Sequence, residues 1–146
     1  MPKALIIILL ASLVAACSDQ EGKEQAKAQV STGMAGHQMG DSGKSVSVKT
    51  PNVPFKFGAG MELFRDKCSA CHGKWGGGTD QGPPLMHAFY KPSHHDNSSF
   101  YRAIRNGVKA HHWKFGNMPP VAGLTPEDAE KVLPFIRWLQ QENGIY

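Results

Sequence analysis

The sequence predicts an all-α domain of roughly three to five short helices beyond Pro51, and three observations carry that expectation. Met61, Leu63 and Phe64 open a helical pattern near Gly60, while Val132, Phe135, Ile136 and Leu139 recur at the helical period and form one apolar face. Thr125-Pro126-Glu127-Asp128 reads as a helix start, with a capping hydroxyl, a proline in the first turn and acids near the positive end of the dipole. Around the cysteine pair at 68 and 71 no alternation of apolar and polar residues argues for strands.

A chain of 146 residues has room for one domain and excludes a catalytic barrel or a large doubly wound enzyme. Lys+Arg 16 against Asp+Glu 12 gives a net charge of +4, far from the dense basic patch of a nucleic-acid binder, so nucleic acid is set aside as a partner. The composition conceals three unlike regions. Residues 1–16 carry a basic start at Lys3 and an apolar run from Ala4 to Ala16 that is too short to span a bilayer but suits a secretory signal peptide. The run closes on Leu13-Val14-Ala15-Ala16-Cys17, which resembles a bacterial lipobox with Val14 in place of the usual leucine. The resemblance implies export, acylation of Cys17 and a membrane-anchored lipoprotein facing the periplasm or cell exterior; Ser18 favours the outer membrane where two membranes exist. Residues 17–50 are poor in large apolar side chains and read as a disordered tether with an average reach of about 30 Å. Within it Met34, His37 and Met39 place two thioethers around an imidazole, a ligand set suited to copper and the basis of a secondary copper-handling reading.

Residues 51–146 carry the chemistry. Cys68-Ser69-Ala70-Cys71-His72 is the C-x-x-C-H arrangement that attaches a c-type haem. Two thiols three positions apart can each add to a vinyl group, while the histidine after the second reaches the iron from the same side. A thioredoxin-like pair would sit among strand signals, and a zinc ribbon would need a second cysteine pair that the chain lacks. The expected cofactor is one covalent haem c.

Among the remaining elements, Asn97 or Ser98 can cap a helix over 100–106 that stops at Gly107. Pro134, deep inside the last helical pattern, removes a bond to Glu130 at a cost of about 3 kcal/mol and predicts a kink or break over 130–133. A protein part of this size forms a marginal core alone, so the fold and the haem are expected to depend on each other.

These residues resemble the small class I cytochrome c family over about 54–144. Gly60-Met61-Glu62-Leu63-Phe64 is similar to the family's first helix, Gly82-Pro83-Pro84-Leu85 to its proximal loop, and Gly116-Asn117-Met118-Pro119-Pro120 to its distal loop. The resemblance implies that the Pro83 carbonyl orients His72, that Met118 is the sixth iron ligand, and that Phe135 crosses the first helix at Gly60 and Phe64. His87, His94, His95, His111 and His112 are rivals for the sixth position, and the role of the two adjacent pairs stays open. The function so implied is single-electron transfer between redox proteins, such as an oxidase, a reductase or a small copper protein, with no small-molecule substrate. No general acid, base or nucleophile constellation points to an enzyme. The alternatives are a haem enzyme or gas sensor with an open distal side, and copper handling through Met34, His37 and Met39.

Overall fold

The computed structural model describes residues 45–146. The signal segment, Cys17, and the Met34, His37 and Met39 cluster lie outside the described residues. Among the described residues four helices build the fold: α1 (Gly58–Lys67), α2 (Ser69–His72), α3 (Asn97–Asn106) and α4 (Pro126–Glu142). Single 3-10 turns at Phe55–Phe57 and Ala88–Tyr90 supplement them. Among the described residues there is no strand; an isolated antiparallel bridge pairs Val108 with Met118. None of the described helices is long and apolar enough to cross a membrane.

The frame is the packing of α1 on α4. Their contact is close because Gly60 has no side chain: a Cβ there would stand 2.2 Å from the Lys131 carbonyl oxygen. Phe64 then meets Phe135 with ring centroids 5.7 Å apart, and Phe57 stacks on Trp138 at 5.2 Å. Val132, Phe135, Ile136 and Leu139, the face expected from periodicity, are all buried, joined by Leu133. Burying such side chains contributes about 1.5–3 kcal/mol each, which is what holds a short helical chain against its ordering entropy.

α4 begins as the sequence indicates. Thr125 Oγ1 accepts from the Asp128 amide at 3.2 Å and the Asp128 carboxylate accepts from the Thr125 amide at 3.3 Å, a reciprocal capping box with Pro126 in the first turn. Of the expected kink or break over 130–133, the break does not occur: α4 runs continuously from Pro126 to Glu142. Pro134 and Glu130 both lie on the exposed face, so the carbonyl that loses its amide partner can be hydrated, while the buried face on either side keeps the helix seated.

The cap of α3 is also corrected. It is Asp96, one position before the expected residues, whose carboxylate accepts from the Ser99 amide at 2.8 Å. The helix stops at Gly107 as expected, with φ +73°, and a Cβ there would lie 2.4 Å from the Met118 carbonyl oxygen. This glycine therefore both ends α3 and admits the loop that carries Met118.

The tether boundary drawn at residue 50 differs from the structure. Val46 donates its amide to the Gly77 carbonyl at 2.7 Å, and Val46 and Val48 pack against the core. Lys49 is clamped by Asn143, whose Oδ1 accepts from the Lys49 amide at 2.7 Å and whose Nδ2 donates to the Lys49 carbonyl at 3.1 Å. Residues 45–50 thus belong to the packed part of the chain.

Candidate haem site

α1 ends at Lys67 and the chain turns at Cys68, which caps α2, a single helical turn that holds Cys71 and His72. The turn is tied down by the His72 amide donating to the Cys68 carbonyl at 2.9 Å. Immediately beyond, Gly73 takes φ +79°, a region that only glycine enters freely, and the chain reverses. The Gly78 amide returns to the His72 carbonyl at 2.7 Å, and Thr79 Oγ1 donates to the Cys71 carbonyl at 2.6 Å. The loop so formed delivers Pro83 to the imidazole.

His72 Nδ1 donates to the Pro83 carbonyl oxygen at 2.9 Å. That bond fixes the tautomer and leaves Nε2 with its lone pair. The ring is buried, and burial pushes its pKa down, against the opposing pull of the Pro83 bond, so the imidazole is held neutral and able to coordinate. Cys68 and Cys71 are not joined in a disulfide, and burial, reinforced by the proximity of Cys71, pushes the Cys68 pKa up to about 11. A thiol so raised is a poor exchange nucleophile, which counts against a redox-active cysteine pair.

Both thiols, His72, Pro83 and Met118 border one cavity of about 760 Å³. This is within the ~300–1,000 Å³ range of sites that enclose most of a bound small molecule. Its apolar wall comes from Leu85, Phe100, Ile104, Trp113, Val132 and Ile136, drawn from α3, α4 and the loops between. Met118 reaches this wall from a loop closed by the Val108–Met118 bridge, with amide-to-carbonyl distances of 2.9 and 3.0 Å, and by Asn117 Oδ1 accepting from the Ala110 amide at 3.0 Å. The cavity thus has an imidazole, a thioether and two thiols at its border and a greasy wall between, a set that fits a covalently attached haem. Of the rival histidines, His95, His111 and His112 border the same cavity, whereas His87 and His94 do not.

The cytochrome c family matches the chain over residues 57–140. The chain belongs to the cytochrome c family. Searches of curated proteins and of solved structures returned no match. Family membership brings haem c as the cofactor of this cytochrome and single-electron exchange with redox proteins as its general role.

Sequence reasoning did not anticipate the polar anchor between α4 and the loops. Arg137 donates through Nε to Asn97 Oδ1 at 2.9 Å, through Nη1 to the Tyr90 carbonyl and Gln140 Oε1, each at 2.7 Å, and through Nη2 to the His95 carbonyl. Its guanidinium also lies over the Phe100 ring, 4.5 Å from the centroid. Gln140, fully buried, passes the connection on by donating to the Leu85 carbonyl at 3.0 Å. A buried glutamine on an otherwise apolar helix face was the available signal. Within the cavity lining Trp113 Nε1 donates to the Tyr90 hydroxyl at 3.1 Å, and burial pushes the Tyr90 pKa up to about 12.

Proposed function

We propose that this cytochrome is a membrane-tethered, extracytoplasmic monohaem electron carrier with His72 and Met118 as the axial iron ligands. The observation that carries the proposal is the shared cavity of Cys68, Cys71, His72 and Met118, with the Nδ1 of His72 already committed to Pro83. Bound there, the haem supplies a one-electron Fe(III)/Fe(II) couple, and a thioether ligand favours the ferrous form. The chain's own residues do the rest. Cys68 and Cys71 hold the porphyrin, Pro83 orients the His72 ring and raises its basicity, and the wall of Leu85, Phe100, Val132 and Ile136 excludes water from the iron's surroundings.

Tethering follows from the lipobox-like segment ending at Cys17, with residues beyond it serving as the leash. The partners are redox proteins; a terminal oxidase, a reductase or a small copper protein are the proposed kinds. With a net charge of only +4, electrostatic steering toward any of them is weak.

Ligation is tested by exposing the reduced holoprotein to carbon monoxide. A firmly bound Met118 predicts slow or no binding and a far-red charge-transfer band in the oxidised protein, both reversed in Met118→Ala. Rapid binding by the unaltered protein and absence of the band would instead support an open distal site and a sensing or enzymatic role. Tethering is tested separately by the mass of the N-terminal peptide, which should carry acyl chains on Cys17.

A further inference from the structure

Three imidazoles converge outside the haem ligand set. His94 and His95 sit in the turn that follows Ala88–Tyr90 and precedes the α3 cap, where both amides donate to the Lys91 carbonyl at 3.0 and 2.9 Å. His112 comes from the loop between Val108 and Met118. Each offers one ring nitrogen, and the three nitrogens lie within 4.8 Å of one another. His94 Nε2 and His112 Nε2 are 3.1 Å apart. Two nitrogens bound to one ion at about 2.0–2.1 Å with a tetrahedral angle stand about 3.3 Å apart, so this pair already has the spacing of two ligands.

The surroundings are those of a ligand set. His95 Nδ1 donates to the Phe89 carbonyl at 2.5 Å, which leaves its Nε2 as the lone-pair nitrogen, the outer bond usual for a metal-bound histidine. The His95 carbonyl is itself held by Arg137, so the turn is braced from α4. The Phe89 ring stacks on His112 with centroids 4.7 Å apart and an interplanar angle of 24°, shielding one side from water. His111, its ring 4.3 Å from that of His112 and its Nδ1 bonded to the Lys109 carbonyl at 2.9 Å, is the nearest further imidazole. His87 is set up the opposite way: its Nδ1 accepts from the Phe89 amide at 3.2 Å, so its Nε2 carries the hydrogen. The same neighbourhood therefore contains its own control.

We propose that His94, His95 and His112 form a second metal site, separate from the haem ligands, that takes one divalent first-row transition ion, Cu²⁺ most tightly. Imidazole nitrogens suit copper, zinc and nickel, and at a fixed nitrogen set copper(II) binds tightest. The site rests on the proposed ligation by Met118, which leaves His95 and His112 off the iron, and not on the tether cluster of Met34, His37 and Met39.

The test uses full-length holoprotein stripped with a chelator and titrated with Cu²⁺ against a competing chelator, with Zn²⁺ displacement as a second titration. The expected result is one tight Cu²⁺ per chain whose electron paramagnetic resonance spectrum shows coupling to several imidazole nitrogens, a readout that needs no variant. His94→Asn, at an exposed position that does not border the haem cavity, should weaken binding at least tenfold with the haem spectrum unchanged. His87→Asn and His37→Asn should leave it unchanged. Full affinity in His94→Asn, loss in His37→Asn, or an oxygen-dominated copper spectrum in the unaltered protein would each overturn the proposal. None of these outcomes bears on whether the cytochrome carries electrons.

Discussion

Replacing Gly60 by alanine tests how closely α1 and α4 must approach. The added Cβ would stand 2.2 Å from the Lys131 carbonyl oxygen and 3.0 Å from Phe135 Cβ. A carbon–oxygen contact is comfortable at about 3.3 Å or more, so the helices must part by about 1 Å. The atom in the way is backbone, inside a helix pinned by its own hydrogen bonds, and cannot swing aside. A gap of that size forfeits roughly a quarter to a half of each affected dispersion contact, and Phe64 on Phe135 lies in the strip that opens. Overpacking of this kind costs about 1–3 kcal/mol, while alanine in place of a helical glycine returns only about 0.5–1 kcal/mol. A net loss of about 1–2 kcal/mol is expected, a fall of roughly 5–15 °C in Tm for a domain of this size. Guanidinium unfolding of the holoprotein, followed by far-ultraviolet circular dichroism, measures it, with an unchanged denaturant slope showing that stability alone has moved. Gly58→Ala is the matched control: nothing lies within 4 Å of its added Cβ, and it should be neutral or slightly stabilising. Equal stability of the two variants would refute the argument.

Arg137→Lys should destabilise by about 2 kcal/mol in the same assay, because one ammonium cannot reproduce a planar fork that reaches Asn97, Tyr90, Gln140 and His95 together. Gln140→Leu keeps the volume but leaves the buried Leu85 carbonyl without its donor, for a loss of about 1–3 kcal/mol on chemical denaturation. Asp96 gives a pH signature. Hydrogen bonds from the Ser99 hydroxyl and amide, and then the Ser98 hydroxyl, lower its pKa from 3.8 to about 2 in the folded chain. The folded state therefore holds that proton less tightly than the unfolded one, so the stabilisation is complete above the unfolded value and is lost as pH falls toward the folded one. The stability difference between the unaltered protein and Asp96→Asn should be flat above about pH 5 and should shrink between about pH 4 and pH 2. A difference that stayed constant over that window would contradict the assignment of Asp96 as the α3 cap.

Much of the fold was legible where the signal is local. Thr125 to Asp128 and Gly107 announce helix ends because capping and left-handed stops involve only neighbours in sequence. The α3 start slipped by one residue because Asp96, Asn97, Ser98 and Ser99 are all competent caps, and only the fold decides which carboxylate or hydroxyl faces the free amides. Pro134 does not break α4 because Glu130 faces solvent and buried neighbours hold the helix, which propensity alone does not weigh. The packed chain begins earlier than composition suggests because Val46 and Lys49 among polar residues say little until Gly77 partners the first and Asn143, 94 positions on, the second. For the site, the relation of Cys68, Cys71 and His72 is local, set by the turn from Cys68 through α2, and so is readable from spacing. The convergence of His112 with His94 and His95, and the fork of Arg137, depend on loops meeting through tertiary packing, and no period in the sequence encodes them.

The most direct test is proton–carbon magnetic resonance of the reduced holoprotein labelled at its methionine methyls. The methyl of a thioether bound to haem iron lies over the porphyrin face, where the ring current shields it strongly. One methyl, missing in Met118→Ala, should appear far upfield of every other methionine signal. If every methionine methyl resonates in the ordinary window, or if the shielded signal survives in Met118→Ala, the ligand assignment on which the electron-carrier account depends is wrong.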